Sequence, residues 1–295
     1  MRRWKKINRI SWQPPAAAAL LVLSSAWWLR APGLDVRDGR HDRGGNGIVL
    51  GTSWTAADAT KPAPAISELA RALREHHLTE LYLQIPPPNA DGSLPGLDST
   101  RTEALLYECY DARGWAQIDA AQFHLEDPRW RRFFIVDVRR LLDRHPRLRG
   151  VSLDFSNASE NPALLSLLEE LHAALAPEKR PLAIVTGPWP EPFFREAARH
   201  ADQLSVPLDV STSVFSRFNV SRSIHRVGAM LAQCEGKPVL FRIPADARLR
   251  RGIATVHLGL SRQPLPNHYQ GVVIESENGP TAEGWLDFRA RFVKP

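Results

Sequence analysis

Sulfur is almost missing from this chain, with two cysteines and two methionines in 295 residues. Cys109 and Cys234 stand alone, without the paired spacing of a zinc site or a redox motif. A single disulfide would be optional even in an oxidising compartment, so two free, buried thiols are expected. The histidines form no H-x-x-x-H or H-E-x-x-H pair, which removes the common helical zinc motifs. There is no G-x-S-x-G nucleophile turn. The Gly44-Gly45-Asn46-Gly47 run is no phosphate loop, because no strand precedes it and no helix follows. Neither a metal nor an organic cofactor is indicated. Apolar residues are not scarce: 43% hydrophobic and 24% charged excludes a disordered or fibrous chain.

A broad positive surface is also lacking, although the formal net charge is +6. Arg2, Arg3, Lys5, Lys6, Arg9 and Arg30 fall in the first 30 residues, where no acid occurs. The remaining chain carries as many acidic as basic side chains, so nucleic acid is not an expected partner. Basic residues ahead of an apolar run, Ala16 to Leu29, match a secretory signal or signal anchor. Those 14 residues span about 21 Å as a helix, short of a ~30 Å bilayer core. Starting at Ile10 lengthens the run but admits Pro14 and Pro15, which a helix start tolerates. Ser24 and Ala26 would suit cleavage, whereas Trp27 and Trp28 suit an uncleaved interfacial anchor, the reading favoured here. The expected organisation is an anchor or signal peptide over 1–30, a glycine-bearing flexible linker over 31–47 and one domain over 48–295. The positive-inside rule then puts the domain in the periplasm or outside the cell, tethered to the inner membrane.

After Gly47 a short apolar run, a polar turn and an amphipathic stretch recur eight times. Strands are expected at Ile48–Thr52, Leu81–Ile85, Trp115–Ala120, Gly150–Phe155, Leu182–Thr186, Leu204–Leu208, Val239–Ile243 and Gly271–Ser276. Helices fit at Ala65–His76, Thr102–Ala112, Pro128–His145, Pro162–Leu175, Pro192–Ala201, Ser221–Gln233, Gly252–Leu260 and Thr281–Phe292. The third has Trp130, Phe133, Phe134, Val136, Val138, Leu141 and Leu142 as its apolar side, with interleaved arginines and aspartates on a solvated face. Eight such units over about 250 residues point to an α/β protein, a (β/α)8 TIM barrel. A doubly wound open sheet is the competitor.

Strand alternation predicts which side chains enter the barrel. With Val151, Leu153 and Phe155 facing the helices, Ser152, Asp154 and Ser156 turn inward. With Val272 and Ile274 outward, Val273, Glu275 and Glu277 turn inward. The same parity sends in Tyr82, Gln84, Gln117, Asp119, Ser205, Asp209 and Arg242. Barrel interiors are normally filled with branched apolar residues, and unpaired buried carboxylates are costly. A ring of acids therefore needs Arg242, water or a polar ligand: either a structural network with Arg242 as hub or a site for a hydroxylated molecule. Trp54, Trp115 and Trp189 open or follow strands and could stack on sugar faces, though each also suits a core.

At strand four the run Leu148-Arg149-Gly150-Val151-Ser152-Leu153-Asp154-Phe155-Ser156 resembles the signature of chitinase-like family 18 barrels, roughly DGIDLDWE. The chain also looks like a group of uncharacterised bacterial glycoside-hydrolase-like TIM-barrel proteins. That likeness rests on Phe123 to Trp130 (FHLEDPRW), Glu235 to Leu240 (EGKPVL), Tyr269 to Val272 (YQGV) and the closing Trp285, Phe288, Arg289 and Phe292. The resemblance implies a polysaccharide or oligosaccharide as partner and a role in exopolysaccharide or cell-wall metabolism. It also exposes a departure. Asp154 stands where the family's substrate-orienting aspartate lies, but Ser156 occupies the place of the glutamate acid. A serine is no general acid at neutral pH.

Three readings follow. One is a glycosidase using Asp154 and Glu275, with Asp119, Asp209 and Glu277 in support and Arg242 orienting a carboxylate. Substrate would meet Gln84, Tyr82, Trp54, Trp189 and Ser156. The second is a catalytically inactive carbohydrate-binding barrel, and the third a scaffold for an envelope protein.

Overall fold

The computed structural model describes residues 18–25, 37–55, 66–120, 123–208, 210, 216–231, 236–246, 248–262, 268–276 and 278–294. Among these residues eight strands alternate with eight helices: β1 (Asn46–Leu50), α1 (Ile66–Glu75), β2 (Leu78–Ile85), α2 (Ser99–Glu108), β3 (Arg113–Asp119) and α3 (Pro128–Arg144). Then come β4 (Leu148–Asp154), α4 (Pro162–Leu175), β5 (Leu182–Val185), α5 (Glu191–Arg199), β6 (Gln203–Pro207) and α6 (Ser216–Leu231). The last units are β7 (Val239–Pro244), α7 (Leu249–Arg262), β8 (Tyr269–Ser276) and α8 (Ala282–Arg291). Each strand pairs in parallel with the next, and β8 returns to β1 through Gly47 opposite Val273 and Val49 opposite Glu275. Closure removes the open-sheet alternative.

The helices start where side chains can satisfy the first free N–H groups. Asp98, Asp127, Asn161 and Thr281 accept from the backbone at the heads of α2, α3, α4 and α8. On α3 the buried stripe is Trp130, Phe134, Val138, Leu141 and Leu142. Phe133 and Val136, expected on that stripe, are 61% and 44% exposed. Their offset from Trp130 and Phe134 carries them around the 3.6-residue turn to the solvent side.

Two apolar cores result. The outer one lies between strands and helices and takes Val151, Leu153, Phe155, Val272 and Ile274, as alternation requires. The inner one fills the barrel axis with Val49, Tyr82, Trp115, Ala183, Leu240 and Val273. Below it, at the strands' N-terminal ends, Glu80 is buried against Arg113 and accepts the Trp115 indole N–H at 2.7 Å. Burial pushes its carboxyl up, against the pull of these partners. Above the inner core the axis turns polar, and that upper end is the mouth.

Residues 37–45, read as the end of a flexible linker, lie against the lower rim. Asp42 accepts from Lys294 N at 2.9 Å and from Asn46 Nδ2 at 2.8 Å. Gly45 N donates to Gln270 O at 3.0 Å, and Thr79 Oγ1 donates to Gly44 O at 2.8 Å. Gly45 permits that approach, since a Cβ there would press on Gln270. Residues 18–25 form an exposed helical run. Among the described residues no helix is long and apolar enough to cross a membrane. Trp27, Trp28 and most of the expected anchor lie outside the described residues, as does Cys234. Cys109 is a buried free thiol, pushed up to about 12 by its burial.

Candidate functional site at the barrel mouth

The polar axis is organised by one guanidinium. Arg242 points inward from β7, with its side chain fully sealed from solvent. Its Nη1 donates to Asp154 Oδ2 at 3.1 Å and to Glu275 Oε1 at 3.2 Å. Its Nη2 donates to Gln117 Oε1 at 2.8 Å, and its Cζ lies 5.5 Å from the Tyr82 ring centre. Gln117 closes the circuit by donating from Nε2 to Asp154 Oδ2 at 3.2 Å. Because β3, β4, β7 and β8 each present inward every second residue, four separate strands deliver these groups to one level.

The two carboxylates are not equivalent. Asp154 is 14% exposed and has both oxygens engaged, Oδ2 as above and Oδ1 by the Ser156 N–H at 3.0 Å. Glu275 is 43% exposed. It accepts from Arg242 on Oε1, and no hydrogen bond reaches Oε2 among the described residues. One nitrogen bonds both acids, so the bonded oxygens lie within about 6.3 Å of each other, the two bonds end to end. Asp154 is therefore held still, while Glu275 retains an oxygen for a visitor.

Two cavities open on this network. The smaller, about 240 Å³, lies over Val49, Gly51, Gln84, Gln117, Asp154 and Ser276. The larger, about 470 Å³, runs outward past Ser156, Asn157, Thr186, Trp189 and Arg226. Glu275 borders both. Their sizes suit a ligand of a few rings, and their linings mix apolar walls with small polar groups.

Asp154, Glu275, Gln84 and Ser156 are thus brought to the mouth. Asp119 ends β3 beside Asp154 in register, half-buried, and lines neither cavity. Arg242 is at the site but beneath it, its charge committed to the chain's own acids. Tyr82 is fully buried in the inner core, accepts from Gln203 Nε2 and has its hydroxyl pKa raised by that burial. It meets no ligand. Trp54 is a core residue, 4% exposed. Trp189 edges the larger cavity but is no stacking platform: its ring packs against Phe155 and Phe193 at 6.1 and 5.2 Å, and its Nε1 donates to Ala158 O at 2.9 Å. Gly187 leaves room for that bond, since a Cβ there would collide with Ala158 O. Trp115 lies below, bonded to Glu80. Asp209 and Glu277 lie outside the described residues. Strand parity did not find Arg226, which comes from helix α6.

The chain matches no protein-family model and no curated protein. Among solved structures it is similar to the spore cortex-lytic enzyme SleL of Bacillus cereus, at 10% identity over 84% of this chain and 75% of that one, with a TM-score of 0.59. SleL of Bacillus megaterium QM B1551 gives 10% identity, 85% and 76% coverage and a TM-score of 0.55. The GH18 chitinase ChiB of Flavobacterium johnsoniae gives 12% identity, 85% and 94% coverage and a TM-score of 0.55. At these identities the likeness is one of fold: the chain and these three enzymes share a barrel.

Proposed function

We propose that this protein is a glycoside-hydrolase-like barrel that acts on a polysaccharide at its mouth. The observation that carries the reading is the Arg242-centred network of Asp154, Gln117 and Glu275, opening into two adjoining cavities at the strands' C-terminal ends. Hydroxylated rings need such closely spaced donors and acceptors, and barrels of this kind place their chemistry at that end. The barrel is shared with spore cortex-lytic enzymes and a GH18 chitinase, which supports the same substrate class.

In this reading Glu275 is the working carboxyl group. Glu275 lines both cavities and bonds Arg242 through Oε1 alone, so its carboxyl group can exchange a proton with a glycosidic oxygen or a water there. Asp154, fixed by its donors, supplies negative charge beside an oxocarbenium-like centre. Ser156 lends its backbone N–H to Asp154, and no proton-transfer step is assigned to it. The test is reducing-sugar release from a glycan panel. Glu275→Gln is expected to lower turnover by about 100-fold or more while the fold is kept. Wild-type-like turnover in that variant would remove Glu275 from the chemistry.

A second reading, a barrel that holds glycan without cleaving it, draws on Arg242 bonding both acids and on a serine at the family's glutamate position. Saccharide binding without turnover in the wild type selects it. The N-terminal segment is assigned the role of membrane tether, with the domain outside the cytoplasm. Cell fractionation and N-terminal sequencing test that part.

A further inference from the structure

The larger cavity holds one feature that neither network nor core accounts for. Arg226, exposed on α6, lines its outer part. Its position is fixed: Nη2 donates to the Trp189 carbonyl at 2.6 Å, and Trp189 is itself buried and tied to Ala158. One bond uses a fraction of a guanidinium's five N–H donors. No carboxylate lies within ion-pair distance of Arg226 among the described residues. The other cation of the mouth, Arg242, is sealed and already bonded to Asp154 and Glu275. Among the described residues the rest of the cavity wall is neutral apart from Glu275: Ser156, Asn157, Thr186 and Ser223 are small and polar, and the remainder is apolar.

We propose that the ligand is an acidic glycan, a saccharide with a carboxylate on one of its rings, and that Arg226 receives that carboxylate in the outer part of the cavity. The inference rests on the polysaccharide reading above and names its substrate class. Charge placement gives its logic. A pre-positioned planar fork matches a carboxylate better than it matches a hydroxyl, because both oxygens can be bonded at once. Glu275 would repel an acidic ring at the axis, so the ring there is neutral and the charged one lies outward. A glycan alternating or mixing neutral and acidic residues fits both places.

The experiment uses the full chain on an immobilised array of matched pairs. Cello- and chito-oligosaccharides of five rings are each set beside their C6-oxidised, uronate-bearing counterparts, with further neutral and acidic glycans around them. At least tenfold tighter binding to the acidic member of a pair is expected, shrinking as salt is raised. Arg226→Gln should remove that preference, bringing the acidic member of each pair to the affinity of the neutral one. Arg226→Lys, which keeps the charge but loses the fork, should keep part of it. Thermal melting of each variant confirms the fold. Equal binding of neutral and acidic members by the wild type, or a preference that survives Arg226→Gln, overturns the inference while leaving the polysaccharide reading intact. Binding to no glycan on the array overturns that reading, and the inference with it.

Discussion

A guanidinium enclosed in a barrel is tolerable only while its charge is answered, because an unpaired buried ion keeps its full desolvation penalty. Arg242 meets that condition through Asp154, Glu275 and Gln117. Replacing it with methionine leaves Asp154 with a weaker donor set and no counter-charge. The expected loss is about 3 kcal/mol of unfolding free energy, measured by urea denaturation. Partial exposure of Asp154 and Glu275 keeps the loss from going higher. Adding Asp154→Asn should recover part of it, since the orphaned charge is then gone. Equal stability in wild type and Arg242→Met would show that the network is solvated and carries little. At this scale much of the site was legible in sequence. Period-2 alternation with one apolar face fixes parity, so Asp154, Glu275, Gln117 and Arg242 could be sent inward before any coordinates. Depth was not legible. Tyr82 and Gln84 share a parity on one strand, yet Tyr82 is buried in the core and Gln84, two residues nearer the strand's C-terminal end, lines a cavity; where the core stops between them depends on the stagger of neighbouring strands. Tryptophans misled for a related reason: the surface that lets an indole stack on a sugar also lets it fill a core.

Elements were placed well because each has its own punctuation. Asp127 ahead of Pro128 and Asn161 ahead of Pro162 mark the starts of α3 and α4, and these two helices begin at the positions expected. The start of α6 was misplaced: the observed helix begins at Ser216, ahead of the expected Ser221. Arg226 was missed because helical periodicity says which face is outward, and is silent on which loop that face overlooks. Glycine and charge suggest freedom over residues 37–45, while Asp42 accepts from nearby Asn46 and from Lys294 at the far end of the chain. This segment also makes a pH-sensitive contact. His41 lies 5.3 Å from the His257 ring, and burial, with repulsion from His257, lowers its pKa to about 4. His257, buried and donating from Nε2 to Arg291 O at 2.9 Å, is likewise lowered by burial. Both rings bind protons more readily in the unfolded chain, whose ordinary histidine value is 6.5. Stability is therefore complete above that value and falls as pH drops from 6.5 toward about 4. Melting temperatures across this window should decline, and His41→Gln should flatten the decline. An unchanged slope in the variant would mean that the contact does not titrate with folding.

For the whole molecule, the chain's described N-terminal contacts and the candidate site lie at opposite ends of the barrel. The chain enters from below: residues 37–45 run along the lower rim, and β1 begins there at Asn46. Glu275, Asp154 and both cavities lie at the opposite end, where the strands finish. The proposed membrane tether would then join the domain at the end opposite its mouth. The closed sheet and its two cores stand between the lower rim and the mouth, and the described contacts of that rim reach none of the cavity-lining residues. A protein starting at Arg37 should therefore keep the saccharide affinity of the full chain within about twofold, since a distant, unconnected site contributes nothing to binding. Its melting temperature should also be unchanged, because Asp42 and Gly45 retain their partners. The proposed tether is tested in the same pair: it requires the full chain to sediment with membranes and the shortened one to stay behind, and equal behaviour of the two removes it. A large loss of saccharide affinity on shortening would place the first 36 residues at the mouth.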